Sequence, residues 1–323
     1  MKRTALDRFE YTAPTMGTKL RIVVYSESEA AATRAIHAAL DEIERLIPIL
    51  NNYDPTSEVS RLRNAVEEPI EISSDLQRVL EIAIDWHERS NHAFDISLGS
   101  VFRLWSDCRK RKELPSADAA TQANFTSGWW QWQLRAPARP EERARVAIAT
   151  EGMIVDTSGL ATGYIIDRAF EAMQRTGHES MLIDIGGDIR VGAPPPQTPG
   201  WIVEVSGVHS DRRPLCRLVL DACAITTSGD LHQFVEIDGR RYSHIIDPKT
   251  RIPLQRRQTA TAIADTCVDA DAGATALCVL GVEGAAKQFD RMGLREALVL
   301  ESSLESISER LPSPRFRHLL PAE

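Results

Sequence analysis

Three short segments carry residue types able to do phosphate or proton chemistry. The first, VDTSGLATGYIIDRAF (155–170), begins polar and Gly-rich and then turns amphipathic through Ile165, Ile166, Ala169 and Phe170. Glycines ahead of a helix let the backbone approach an anion, and the helix start offers unpaired N–H groups. No G-K-[ST] follows and no GxGxxG occurs, so this is neither a Walker loop nor a dinucleotide fingerprint. Taken alone, Gly159 and Gly163 read more simply as structural turn residues.

The second segment is DTCVDADAGATAL (265–277). Asp271 and Thr275, four apart, share a helix face, while Asp269 is turned roughly 200° from Asp271. A carboxylate and a hydroxyl on one face can give Mg²⁺ two hard oxygen ligands, with waters and substrate phosphates supplying the rest. Capping and solvation of a helix start is the competing reading, and spacing alone favours it. The third segment is RRYSHIIDPKTRIPL (240–254), where a strand histidine precedes an Asp-Pro turn. Here His244 could accept a hydroxyl proton with Asp247 as its orienting carboxylate. A half-buried strand histidine with Asp247 capping the turn is the simpler account of the pair. Ser228, in TTSGD (226–230), could likewise contact a phosphate or shape a turn.

The elements that must position these residues follow from hydrophobic period. Lys19 to Tyr25 (KLRIVVY) predicts a strand. A helix over 28–50 follows from Ile36, Leu40, Ile43, Ile47 and Leu50 at three- and four-residue steps, and a second fits 74–90. Between them, NNYDPTSEVSRL is rich in turn formers and predicts a loop. Residues 106–145 hold the basic run Arg109 to Lys112, several prolines and Trp129, Trp130 and Trp132. They predict a surface excursion, a solvated turn and then a strand packing its tryptophans. Strands are expected at 181–185, 201–206, 234–237, 242–246 and 259–264, with Asp238-Gly239 as a tight hairpin turn. Helices are expected at 266–280 and 282–292. Because strand often follows strand directly, the pattern favours an α+β fold with largely antiparallel sheet.

Composition bounds the rest. The chain has 323 residues, 43% hydrophobic and 26% charged, which excludes a disordered, collagen-like or disulfide-scaffold protein. A net charge of −8 disfavours general nucleic-acid binding. The five scattered cysteines read as reduced, buried thiols. The N-terminal residues lack the apolar run of a signal peptide, and no apolar stretch reaches membrane-spanning length, so a cytoplasmic protein without a membrane span is expected.

Taken in order, these blocks resemble the FAD:protein FMN transferases, the ApbE-like family. The resemblance rests on TMGT (15–18), NNYDPTSEVSRL (51–62), AFDISLGSVFRLW (93–105) and VDTSGLATGYIIDRA (155–169). It continues through IDIGGDIRVGA (183–193), TTSGD (226–230), SHIIDPKT (243–250) and VDADAGATALCVLG (268–281). It implies one domain over 1–323 with a T-fold-related α+β architecture. The activity implied is Mg²⁺-dependent transfer of FMN from FAD to a Thr or Ser hydroxyl of an acceptor flavoprotein, with release of AMP.

By the same resemblance, Met16, Tyr53, Ala93, Phe94, Asp95, Asp156, Thr162 and Ile246 fall at FAD-contact positions. Asp271, Thr275 and the Gly159 carbonyl fall at metal positions, and His244 is the expected proton acceptor. The chain departs from the family pattern at Thr162, where Lys or Glu is usual. It departs again at Arg251, in place of a Gly, and at Ala274, in place of Ser or Asp. Two further functions fit the same residues: a Mg²⁺-dependent FAD pyrophosphatase giving FMN and AMP, and a non-catalytic FAD-binding protein.

Overall fold

The computed structural model describes residues 6–66, 68–137, 139, 141–207, 214–231, 233–302, 307–313 and 316, with the backbone alone for 307–311. From the N-terminus come strands β1 (Asp7–Thr15) and β2 (Thr18–Ser26), helices α1 (Glu29–Leu50) and α2 (Glu58–Arg61), strand β3 (Ile70–Glu71) and helix α3 (Ser74–Arg89). Helices α4 (Gly99–Arg111) and α5 (Ala117–Phe125) precede strands β4 (Trp132–Arg135) and β5 (Arg145–Ile148), then helix α6 (Ser158–Arg175). The strands β6 (Met181–Ile185), β7 (Asp188–Val191), β8 (Trp201–Ser206), β9 (Pro214–Leu220) and β10 (Cys223–Gly229) run on without an intervening helix. After β11 (Phe234–Ile237), β12 (Arg240–Ser243), β13 (Ile246–Asp247), β14 (Ile252–Pro253) and β15 (Arg257–Ala264) comes helix α7 (Cys267–Met292). Strands β16 (Glu296–Ser302) and β17 (Ile307–Pro312) close the chain.

Eight strands form the central sheet in the order β1-β2-β6-β7-β10-β15-β16-β17, and every neighbouring pair is antiparallel. The two-residue period of a strand sorts its side chains into two cores. Leu20, Ile22, Val24, Ile183, Ile185, Ala260 and Ala262 face a layer of helices that includes α1, α3, α6 and α7. Val23, Leu182, Ile263, Leu298 and Leu300 face the opposite way, under the β8–β9 hairpin. Strands are small where helices press on them: Ala260, Ala262 and Ala264 all contact the helix side. The fold is thus α+β with a largely antiparallel sheet, and among the described residues no helix is long and apolar enough to cross a membrane.

The predicted surface excursion is more ordered than its composition suggests. Arg109 to Arg111 form the last turn of α4, and Lys112 caps it in the left-handed region (φ 58°). Trp105 and Cys108 pack with Ala123 of α5, with Val235, Ile237 and Tyr242 of the β11–β12 hairpin, and with Ile246 in a third core. Trp132 lies in β4 and is buried, whereas Trp130 is exposed. The two predicted C-terminal helices are one element broken at Gly281, whose φ of 66° and ψ of −176° leave the helical region. All five cysteines are buried thiols.

Candidate active site

A cavity of about 410 Å³ opens where the starts of α6 and α7 meet the β6–β7 turn, the end of β10 and the segment between β12 and β13. That volume is in the range of small-ligand sites. A second depression of about 620 Å³, against the β3–β5–β4 sheet, is lined by no carboxylate or histidine. Of these two, only the first brings carboxylates and a histidine to its lining.

The floor is set by the contact between α6 and α7. Asp167 of α6 accepts hydrogen bonds from the Cys267 and Val268 N–H groups at 2.8 and 2.9 Å, which fixes the start of α7. Arg190 pairs with the same carboxylate at 2.6 Å. Gly163 lets the helices touch, since a Cβ there would stand 2.5 Å from the Cys267 carbonyl oxygen. This close approach brings the Gly163 N–H to Asp271 Oδ2 at 3.1 Å.

Asp188 joins Asp271 through turn geometry. Gly186 and Gly187 both have positive φ (67° and 103°), as a two-residue hairpin turn of the primed type requires. The register places Asp188 opposite Ile185, and Ile189 packs into the outer core, so Asp188 faces the helix side. Burial, then the charges of Asp271 and Asp184, hold its carboxyl well above the usual range. Burial also raises Asp271, against the pull of the Gly163 N–H. Neither carboxylate has an ion-pair partner among the described residues. Thr275 Oγ1 and Ser228 Oγ lie 3.2 Å apart beside them. Gly159 is close by, its would-be Cβ 3.2 Å from Phe94 and 3.7 Å from the Thr275 methyl. Two crowded carboxylates with hydroxyl and carbonyl oxygens at hand make a donor set suited to a hard divalent cation such as Mg²⁺.

His244 lines the same cavity. It sits in a bend between β12 and β13, not within one continuous strand over 242–246 as the sequence predicts. The Gln233 carbonyl oxygen accepts from the His244 backbone N–H at 2.9 Å and from ring Nδ1 at 3.3 Å. Because a carbonyl only accepts, the proton is on Nδ1 and Nε2 keeps its lone pair. Burial first, and then the charge of Arg109, push the pKa down to about 4, so the ring is neutral at pH 7. Asp247 does not orient it; its carboxylate instead accepts from the Lys249 N–H at 2.8 Å and shapes the Asp-Pro turn.

Tyr53, Ala93, Phe94, Asp95, Asp156, Gly159, Ile246 and Thr275 line the cavity with His244 and Asp271. Asn52 ties the lip together by donating to the Val155 carbonyl and accepting from the Thr157 N–H and hydroxyl. Two expected contact residues lie off the lining. Met16 is at the tip of the β1–β2 hairpin with φ 48°, and Thr162 is half-buried near the start of α6. Asp269 points away to Arg89 (3.0 Å) and Trp86 Nε1 (2.9 Å), so it joins α7 to α3.

Sequence reasoning missed Asp188 and Arg109. The doubled glycine before Asp188 was the available sign, since it makes the turn that aims the next side chain. Arg109 is half-buried, forms no ion pair among the described residues, and lies over the ring of the cavity residue Phe102 at 5.7 Å. Its charge is felt at both Tyr53 and His244.

The ApbE family model matches residues 16–299. The chain belongs to the ApbE family. Among curated relatives, the FAD:protein FMN transferase of Treponema pallidum is 31% identical over 283 residues, covering 83% of this chain and 77% of the relative. The enzyme of the same name from Haemophilus influenzae is 28% identical over 301 residues, covering 89% and 85%. Among solved structures, the ApbE protein of Thermotoga maritima superposes with a TM-score of 0.84 at 25% identity, covering 98% of this chain and 100% of that one. The apo form of the Pseudomonas stutzeri flavinyl transferase ApbE shares the fold at a TM-score of 0.84 and 24% identity, with both chains fully covered. The family match thus runs from β2 into β16 and includes every residue that lines the cavity.

Proposed function

We propose that this ApbE-family chain is a transferase that moves FMN from FAD to a Thr or Ser hydroxyl of an acceptor protein and releases AMP. The observation that carries the reading is one cavity holding both a neutral histidine with a bare Nε2 and two carboxylates, Asp271 buried and Asp188 half-buried, without an ion-pair partner among the described residues.

The acceptor hydroxyl attacks the phosphorus next to the ribityl chain of FAD. A bond from the hydroxyl oxygen to that phosphorus forms, and the bond to the bridging oxygen breaks, so AMP leaves with that oxygen. The hydroxyl proton passes to His244 Nε2, because a hydroxyl is a weak nucleophile until a base takes its proton. Gln233 holds the ring in the accepting tautomer throughout. Asp271, Thr275 and the Gly159 carbonyl would hold Mg²⁺, with Asp188 as a further oxygen donor. When bound, Mg²⁺ supplies electrostatic stabilisation of charge on the pyrophosphate oxygens. In a regular helix the Gly163 N–H serves the Gly159 carbonyl. Its donation to Asp271 loosens that claim and suits the carbonyl to a cation. Arg109, behind the lining residue Phe102, supplies positive charge toward the FAD phosphates, in a chain where Thr162 carries none. Tyr53, 80% exposed at the rim, and Phe94 offer aromatic surface to the flavin or adenine ring.

Following AMP with FAD and Mg²⁺, with and without a flavoprotein acceptor domain, tests this. AMP that appears only with acceptor, together with flavin covalently bound to it, is the expected result. AMP without acceptor makes the protein a pyrophosphatase, and bound FAD with no AMP makes it a carrier.

A further inference from the structure

We propose that His87, Glu88 and His92 form a second metal site, for a borderline transition-metal ion such as Zn²⁺ or Co²⁺, on the outer side of the segment that walls the FAD cavity. It goes beyond the transferase reading and does not depend on it.

His87 is built like a metal-binding imidazole. It is only 5% exposed, and its Nδ1–H donates to the Phe94 carbonyl at 2.9 Å. Its ring lies flat on Trp129, with centroids 3.7 Å apart and planes 3° from parallel. One nitrogen is therefore spent on a backbone carbonyl, and the ring plane is locked. Nε2 is left with its lone pair in a fixed direction, the usual arrangement behind a coordinating histidine.

The chain then bends so as to return a second imidazole. Asn91 and His92 both adopt positive φ (54° and 66°), which is uncommon for residues with a side chain. The bend is held by the His92 N–H on the His87 carbonyl at 2.8 Å and the Asn91 N–H on the Glu88 carbonyl at 3.2 Å. It brings the two imidazole centroids to 4.4 Å. One ligand atom each from His87, Glu88 and His92 then lies within 4.8 Å of the others. A tetrahedral Zn²⁺ with Zn–N bonds near 2.0–2.1 Å needs its ligands about 3.3 Å apart. The remaining closure falls to His92 and Glu88, which are exposed and free to rotate about the fixed His87.

The donor chemistry separates this site from the cavity floor. Two imidazoles and one carboxylate select Zn²⁺, Co²⁺ or Ni²⁺, whereas the Asp188–Asp271–Thr275 oxygens suit Mg²⁺. Three protein ligands leave a fourth position for water. The site also touches the cavity from behind. Ala93, Phe94 and Asp95 follow His92 directly and line the cavity, and Phe94 bears on Gly159. An ion tying His92 to α3 therefore stiffens the wall that contacts FAD.

The test is Zn²⁺ and Co²⁺ titration of the full chain in excess Mg²⁺, which keeps the floor carboxylates occupied. Wild type should bind one equivalent of Zn²⁺ and give the visible Co²⁺ bands of a four- or five-coordinate site. His92→Ala and Glu88→Gln, both at exposed positions, should each weaken Zn²⁺ at least tenfold, while Asp271→Asn should bind as wild type does. Unchanged Zn²⁺ affinity in His92→Ala would overturn the proposal. So would loss of the equivalent in Asp271→Asn, or no Zn²⁺ bound at all. AMP release, read separately, reports on the transferase assignment and not on this site.

Discussion

The backbone N–H of Gly163 donates to Asp271 Oδ2 at 3.1 Å, across a helix contact too close for any Cβ on Gly163. Packing and chemistry thus meet at one glycine. The same close approach that joins α6 to α7 also orients a carboxylate of the proposed Mg²⁺ site.

Gly163→Ala should damage both at once. A methyl 2.5 Å from the Cys267 carbonyl forces the helices apart, and overpacking of this kind costs about 1–3 kcal/mol. Thermal melts should show that loss, and Mg²⁺ titration should show weaker binding in whatever protein folds. A variant of wild-type Mg²⁺ affinity would detach the helix contact from the metal site.

The paired carboxylates make metal-free stability fall as pH rises. Asp188 and Asp271 are held above the ordinary carboxylate range, so the folded state keeps protons that the unfolded state gives up. That contribution is full in acid and is lost as pH climbs into the neutral range. Mg²⁺ should reverse the trend, adding about 2.7 kcal/mol at a hundredfold excess over its Kd. Melting temperatures at pH 5 and pH 8, with EDTA or with Mg²⁺, test this; a stabilisation by Mg²⁺ that is larger at pH 5 contradicts it. Asp188→Asn should raise the metal-free melting temperature at pH 8 while lowering AMP release.

How far the site was legible in sequence follows from how local each signal was. The stripe of α1, the Asp238-Gly239 hairpin and the four-residue step from Asp271 to Thr275 are set by neighbours in the chain, and all are present. Asp188 needed the register of β6 on β7 and then the approach of α7, which no local pattern encodes. Arg109 hid in a basic run that reads as a solvated turn, because most apolar partners of α4 lie more than a hundred residues away in β11 and β12. Asp247 was a plausible partner for His244 by spacing, but the chain bends between them and the Gln233 carbonyl takes that place. Strands β1 and β9 were not read, although both alternate: β9 (PLCRLVL) buries Cys216, Leu218 and Leu220, and β1 (DRFEYTAPT) half-buries Phe9, Tyr11 and Ala13.

Arg109 and His244 should be separable by pH. Part of the depression of His244 comes from the Arg109 charge, so Arg109→Ala should move its pKa up toward the ordinary histidine value. At saturating FAD and Mg²⁺, the acid limb of single-turnover AMP release should shift to higher pH. FAD affinity should fall tenfold or more, since a hydrogen bond to a charged group contributes about 1.5–3 kcal/mol. An unmoved acid limb would mean that another group controls the rate. His244→Ala should instead cost roughly 10²- to 10⁴-fold in turnover with FAD affinity nearly unchanged, as loss of a general base predicts.

Asp269 offers the sharpest contrast with Asp271, because two residues on one helix divide structure from chemistry. Asp269 accepts from Trp86 Nε1 at 2.9 Å and pairs with Arg89 at 3.0 Å, while Thr266 caps the helix through the Asp269 N–H. The Arg89 guanidinium also lies 4.3 Å over the Trp86 ring, so the three groups form one partly buried joint between α3 and α7. Asp269→Ala removes the shared acceptor and strands the indole N–H, while Arg89 keeps Asp85 at 2.8 Å and the Met292 carbonyl at 3.0 Å. A loss of about 1–3 kcal/mol follows from stranding such a donor. Mg²⁺ affinity and AMP release should remain near wild type below the melting transition. Asp271→Ala should give the opposite pattern, with AMP release abolished and the metal-free fold at least as stable at pH 8, since one of two crowded charges is gone. If Asp269→Ala lost Mg²⁺ binding while melting normally, the helical-face assignment of the metal ligands would have to be reversed.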